Sequence, residues 1–159
     1  MSSRTYKGKY RPTDLSKYRG DPTSIIYRSL WERNLMRFCD ANSKVIWWSS
    51  EPIAIPYRCA TDGKIHRYFP DFLIHFTNGE TYCIEVKPEK ETIQPVKKRG
   101  KRKAVFITEA LTYAKNVSKW EAAQKYCKQR GWRFEIWHEK ILEALGIKIL
   151  TAGQRKRNK

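Results

Sequence analysis

Two hydrophobic periods alternate along this chain, and the switches between them set the predicted elements. Trp31, Leu35 and Phe38 recur at helical spacing in a segment running from Asp21 to about Asn42. Asp21-Pro22 in front of it has the residue types of an N-cap and a first helical position. The apolar runs then shorten. Val45-Ile46-Trp47-Trp48 and Ile53-Ala54-Ile55 read as short strands, with Pro56 marking an edge or a strand end. Asp62-Gly63 marks a turn, residues 65–76 a strand interrupted at Pro70, and Asn78-Gly79 a hairpin returning through residues 81–87. After the apolar run Val105-Phe106-Ile107, a helix is predicted from about Thr108 to Arg130, closed by Gly131. Trp132–Trp137 alternates as a strand, and Glu139–Leu145 reads as a short helix closed by Gly146. A helix, a strand meander, then helix and strand predict an α/β fold with a mixed central sheet flanked by helices.

The ends of the chain break this pattern. Residues 1–20 read as a basic arm, residues 21–150 as the folded domain, and residues 151–159 as a basic tail. Thirty-three Lys plus Arg against sixteen Asp plus Glu leave a formal charge of +17 on 159 residues. Such an excess calls for a polyanionic partner, nucleic acid most simply, with an anionic membrane surface as the competitor. No apolar run approaches transmembrane length, and the start has no hydrophobic segment of signal-peptide type, so a soluble protein made in a cytoplasm, with no membrane partner, is expected. The charge is concentrated in the arm, in a loop and in the tail Gln154–Lys159. The arm carries Lys7, Lys9 and Arg11 interleaved with Tyr6, Tyr10 and Tyr18; the loop carries Lys97, Lys98, Arg99, Lys101, Arg102 and Lys103. These segments suit phosphate contacts, which give affinity for DNA without sequence preference.

Other chemistries find little support. Cys39, Cys59, Cys83 and Cys127 are scattered, as are His66, His75 and His138, so buried free thiols are expected rather than a zinc site or disulfides. No phosphate-binding G-x-x-x-x-G-K-[ST] loop exists, so no nucleotide cofactor is expected.

The acidic residues are more informative. Asp71 follows Phe69-Pro70, and fourteen residues later comes Glu85-Val86-Lys87 on an apolar strand. This is the pattern of metal-dependent nucleases of the PD-(D/E)xK type. Phosphodiester cleavage needs a divalent cation held by a few carboxylates, and a lysine beside it can orient water or clamp phosphate. Glu32 shares a helical stripe with Ile25, Met36 and Cys39. It is either an edge glutamate paired with Arg28 or Lys44, or a third acid of the site. Asp71 and Glu85 could equally be a turn residue and a solvated strand position.

Hairpin register decides whether Asp71 and Glu85 can cooperate. A two-residue turn at Asn78-Gly79 would set residue 71 opposite 86 and point the two carboxylates to opposite faces. A three-residue loop, 77–79, with Gly79 left-handed, pairs 76 with 80 and sets 71 opposite 85 on one face. A shared metal requires the second arrangement or a compensating bulge at Pro70-Asp71. In either register Cys83, Glu85 and Lys87 share one face, and Tyr82, Ile84 and Val86 the other, core-facing one.

Longer segments carry a resemblance. Tyr6–Pro12, Lys17–Thr23, Ile26–Glu32 and Tyr57-Arg58 with His66–Phe72 resemble the head-completion nucleases of T-even-like tailed phages. The core pattern also looks like the catalytic domain of the TnsA transposon endonuclease. The resemblance implies a restriction-endonuclease-like core and catalytic residues Glu32, Asp71, Glu85 and Lys87. It implies a magnesium ion, replaceable by manganese, on Asp71, Glu85 and the Val86 carbonyl. It further implies a DNA nuclease acting in virion assembly in the host cytoplasm, beside phage head, portal or neck proteins. In some relatives a Gln or Glu on the following helix assists, which makes Gln124 a candidate. A non-catalytic DNA-binding plug of the same fold is the alternative; an RNA-associated basic protein would leave the acidic motifs unexplained.

Overall fold

The computed structural model describes residues 7–149. Arg4, Tyr6 and the tail Gln154–Lys159 lie outside the described residues. The central sheet has four strands in the order β3-β6-β7-β8: β3 is Val45–Ser50, β6 Phe72–Phe76, β7 Thr81–Val86 and β8 Arg133–Trp137. The first two pairings are antiparallel and β7–β8 is parallel, joined by the crossover helix α2, Lys103–Gln129. Two small ribbons flank the sheet: β1, Gly8–Lys9, with β2, Ile26–Tyr27, and β4, Ile55–Arg58, with β5, Ile65–Tyr68. Helix α1 spans Leu30–Ala41 and helix α3 Glu139–Ala144. This is the expected mixed α/β fold.

Both faces of the sheet are covered. Leu35, Met36 and Cys39 of α1 and Leu142 of α3 pack with Trp48, Phe72, Ile74 and Ile84 on one side. Trp120, Ala123 and Cys127 of α2 pack with Leu73, Cys83, Tyr57 and Tyr68 on the other. The Cys83–Glu85 face is therefore not a solvated one: Cys83 is fully buried beneath α2. Trp48, wholly enclosed by Tyr10, Tyr18 and Phe72, anchors the first layer. Truncating such a residue to alanine costs about 3–5 kcal/mol.

Four expected boundaries move. The strand expected at Ile53–Ile55 begins at Ile55 and runs through Pro56 to Arg58 in a two-stranded ribbon, where a proline can sit at an edge. Asp21 does not cap a helix. Its carboxylate binds the Thr23 N–H and the Thr23 and Ser24 hydroxyls in a turn, and Ile26–Tyr27 pairs as strand β2. The cap of α1 is Ser29, whose Oγ accepts the Glu32 N–H at 3.1 Å. Ser29-x-x-Glu32 has the residue types of a capping box, with the Glu32 carboxylate reaching back to the Arg28 N–H and the Ser29 hydroxyl, and this signal outweighed Asp21-Pro22. Val105-Phe106-Ile107 belongs to the first turns of α2 rather than to a separate run. Residues 7–20, expected as an arm, are bound along the domain. The Lys17 ammonium donates to the carbonyls of Cys39, Asp40 and Asn42 at the C-terminus of α1, and the Tyr10 hydroxyl donates to Asp40. A lysine there satisfies helix-end carbonyls and complements the helix dipole.

Candidate active site

The β6–β7 hairpin has the three-residue loop. Phe76 N–H donates to the Glu80 carbonyl at 3.0 Å, Gly79 N–H donates to the Phe76 carbonyl at 3.0 Å, and Gly79 has φ +88°. A side chain at that φ would be strained, which is why glycine holds the turn. His75 pairs with Thr81 and Phe72 with Ile84, so the register carried one step further sets Asp71 opposite Glu85 on the α2 face. The strand β6 begins only after Pro70, which has no N–H to give a ladder. Asp71 continues the pairing with its side chain: Oδ2 accepts the Val86 N–H at 2.8 Å, while its carbonyl accepts the Glu51 N–H at 2.9 Å.

Glu85 is held from β5. The Tyr68 hydroxyl donates to Glu85 Oε1 at 2.6 Å, and the Lys87 ammonium lies 3.9 Å from Oε2 and also 3.9 Å from Glu91. Glu32 reaches the cluster from the first turn of α1, where the helix dipole favours an anion. Its Oε1 accepts the Arg28 N–H, but the Arg28 guanidinium is turned to Glu51, so Glu32 does not form the ion pair with Arg28 that one of its two readings allowed. Glu51 has φ +46°, unusual for a residue with a side chain, and its charge acts on Glu32.

The electrostatics are those of a crowded acidic site. Burial, then the charges of Glu85 and Glu32, raise the Asp71 carboxyl well above the usual range. Burial also raises Glu32 and Glu85, opposed at Glu85 by the Tyr68 hydrogen bond and by the Lys87 and Lys119 charges. Burial disfavours the ionised form of all three acids, a cost that a divalent cation would relieve, and an all-oxygen donor set suits magnesium or manganese. The donor chemistry thus fits the implied ion. The three carboxylates are not drawn as close as a preformed cage. Among the described residues only Cys59, Asp62 and His66 bring three potential ligand atoms within 4.8 Å of one another.

That trio, on the β4–β5 turn, departs from the expectation of scattered Cys and His. Its polar atoms have ordinary partners: His66 Nε2 lies 2.8 Å from Asp62 Oδ2, and Cys59 Sγ 3.0 Å from the Thr61 hydroxyl. All four cysteines are free and buried, as expected.

The basic residues divide. Lys7, Lys9, Arg11, Lys97, Lys98, Arg99, Arg102 and Lys103 are exposed, whereas Lys101 is half-buried and pairs with Glu109 at 2.6 Å. Gln124 is exposed and lines a cleft with Lys128, Trp132 and Glu135; the α2 residue whose charge reaches Glu85 is Lys119. Sequence reasoning missed Tyr68, Lys119 and Glu51. Only Tyr68 left a trace, as the residue before Phe69-Pro70-Asp71.

A helix-flanked sheet that sets an Asp and a Glu-x-Lys side by side, with a third acid from the preceding helix, is a nuclease core. The sequence matches the TnsA-like endonuclease N-terminal family over residues 42–139, and the chain belongs to that family. It is also similar to the protein named Head completion nuclease of Enterobacteria phage T4. The two are 44% identical over 146 residues, covering 90% of this chain and 97% of that protein. Among the described residues, no helix is long and apolar enough to cross a membrane.

Proposed function

We propose that this nuclease cleaves DNA with magnesium and acts in the completion of phage heads, as the name of its relative suggests for that protein. The observation that carries the catalytic reading is the hairpin register, which brings Asp71 and Glu85 to one face beside Lys87. Asp71, Glu85 and the Val86 carbonyl would hold the metal. When bound, the ion would lower the pKa of a water and neutralise charge on the pentavalent phosphate.

The chain's own residues do the rest. Tyr68 holds one Glu85 oxygen, leaving Oε2 facing Lys87. The Val86 N–H fixes the Asp71 carboxylate in the same way. Lys87, its ammonium 3.9 Å from Glu85, orients the attacking water or stabilises the phosphate. Glu32 completes the acidic cluster across water. The exposed cations of residues 7–11 and of the 97–103 loop supply phosphate contacts without sequence preference. Phage head, portal or neck proteins are the partners this role implies.

The test is cleavage of duplex and single-stranded DNA by the purified chain. Cleavage in Mg²⁺ or Mn²⁺ that stops in EDTA is expected, as is activity on DNA of unrelated sequences. DNA binding without cleavage in either metal would support the plug alternative instead.

A further inference from the structure

Lys119 lies half-buried on α2, with its ammonium 5.7 Å from the centroid of the Tyr68 ring. The hydroxyl of that ring is bonded to Glu85, so Lys119 overlooks the acidic cluster from the helix side. Its charge acts on Glu85, while Lys115 and then Lys87 repel it. Yet among the described residues no carboxylate lies within 4.0 Å of its nitrogen. Lys101, also half-buried, does have such a partner in Glu109. A partly desolvated ammonium without a close counter-ion is costly unless an anion arrives. In a nuclease the anion that reaches this place is the substrate's phosphodiester, a monoanion that one ammonium can match.

We propose that Lys119 is a second phosphate-binding lysine of the active site. It would contact a non-bridging oxygen of the scissile or adjoining phosphate from α2 while Lys87 acts from β7. The inference rests on the nuclease reading above. A lysine suits the task because its compact ammonium binds phosphate as a point charge and needs no fixed fork geometry.

The experiment measures kcat/KM on a duplex oligonucleotide against salt concentration for the full chain. Lys119→Met keeps most of the aliphatic stem against Tyr68 and removes the charge. It should lower kcat/KM on the order of a hundredfold and flatten the salt dependence by about one phosphate contact. Lys119→Gln is a second charge-removing variant should the methionine chain not fold. Lys119→Arg should restore most of the salt slope, which a purely structural role would not require. Lys125→Met, an exposed lysine further along α2, should match the parent. A parent that cleaves alongside an Lys119→Met protein of unchanged rate and slope overturns the assignment of Lys119 alone. So does an arginine variant whose slope stays as flat as that of the methionine variant. A parent that shows no metal-dependent cleavage overturns the nuclease reading and this inference with it.

Discussion

The β6–β7 hairpin carries carboxylates at both ends, and the two ends treat them oppositely. At the turn, Glu80 is surrounded by donors. Arg133 lies 3.1 Å from its Oε1, while the Tyr82 hydroxyl and the Asn78 amide donate to Oε2. Those hydrogen bonds, Tyr82 and Arg133 foremost, lower its pKa. At the open end, burial raises Asp71, Glu85 and Glu32, and like charges add to it at Asp71 and Glu32. Among the described residues, no ammonium comes nearer to Glu85 than 3.9 Å. One strand pair thus neutralises its charge at one end for structure and leaves it unneutralised at the other. Charge left uncompensated inside a fold marks a place where something else is to bind.

Exchanging equivalent residues at the two ends should break the symmetry in activity. Glu85→Gln should lower cleavage about a thousandfold or more, because a neutral amide is a poor ligand for a hard cation. Glu80→Gln should leave the rate of DNA nicking near that of the parent. Comparable losses in both would mean that the acidic end has no special chemistry.

The tyrosines sharpen the same contrast. Tyr68→Phe removes a hydroxyl that holds Glu85 and should cost roughly 10–100-fold in metal affinity or rate, the scale for groups that orient metal ligands. Tyr82→Phe, which removes the corresponding hydroxyl from Glu80, should change the rate little. Metal titrations of cleavage activity read both. A Tyr68→Phe protein with an unchanged metal requirement would show that Glu85 needs no fixing.

Stability should move in opposite directions at the two ends. Asp71→Asn keeps an acceptor for the Val86 N–H but removes the repelling charge. Without metal at pH 7 it should raise the melting midpoint by about 2–4 °C, the equivalent of roughly 1 kcal/mol in a domain of this size. The sign follows from linkage. Asp71 holds its proton more tightly folded than unfolded, so ionising it costs stability above the ordinary carboxylate range. The gain should therefore shrink as pH falls toward that range, where the parent's Asp71 is protonated. Glu80, whose pKa is lowered, stabilises when ionised, so Glu80→Gln should lower the midpoint at pH 7, and the difference should fade in acid. Melting curves at pH 7 and pH 4.5 show whether the two signs differ.

Much of this arrangement was legible in the sequence because it is local. Asn78-Gly79 announced the hairpin, and the demand that Asp71 and Glu85 share a face left the three-residue loop with left-handed Gly79 or a bulge at Pro70-Asp71, of which the structure has the first. Glu32 was found as an acid on an apolar stripe, although its Ser29 cap was overlooked in favour of Asp21-Pro22. Positions set by distant partners were not legible. Tyr68 finds Glu85 across 17 residues, and Lys119 reaches the site only because α2 folds back over the sheet. Gln124 shared a helical stripe with apolar residues, but the turn of α2 that faces Glu85 lies nearer its N-terminus. The basic stretch 7–20 read as an arm because its order comes from scattered tertiary bonds, such as Lys17 to the end of α1, which leave no period in the sequence.

The central claim is that Asp71 and Glu85 together hold one divalent cation. Calorimetric titration of Mn²⁺ into the parent, Asp71→Asn, Glu85→Gln, Glu80→Gln and Asp62→Asn proteins tests it most directly. Cation binding that is lost in the Asp71 and Glu85 variants and kept in the Glu80 and Asp62 variants is the predicted result. Binding that survives in both the Asp71 and Glu85 variants, or that disappears only with Asp62 of the Cys59–His66 turn, would contradict the account.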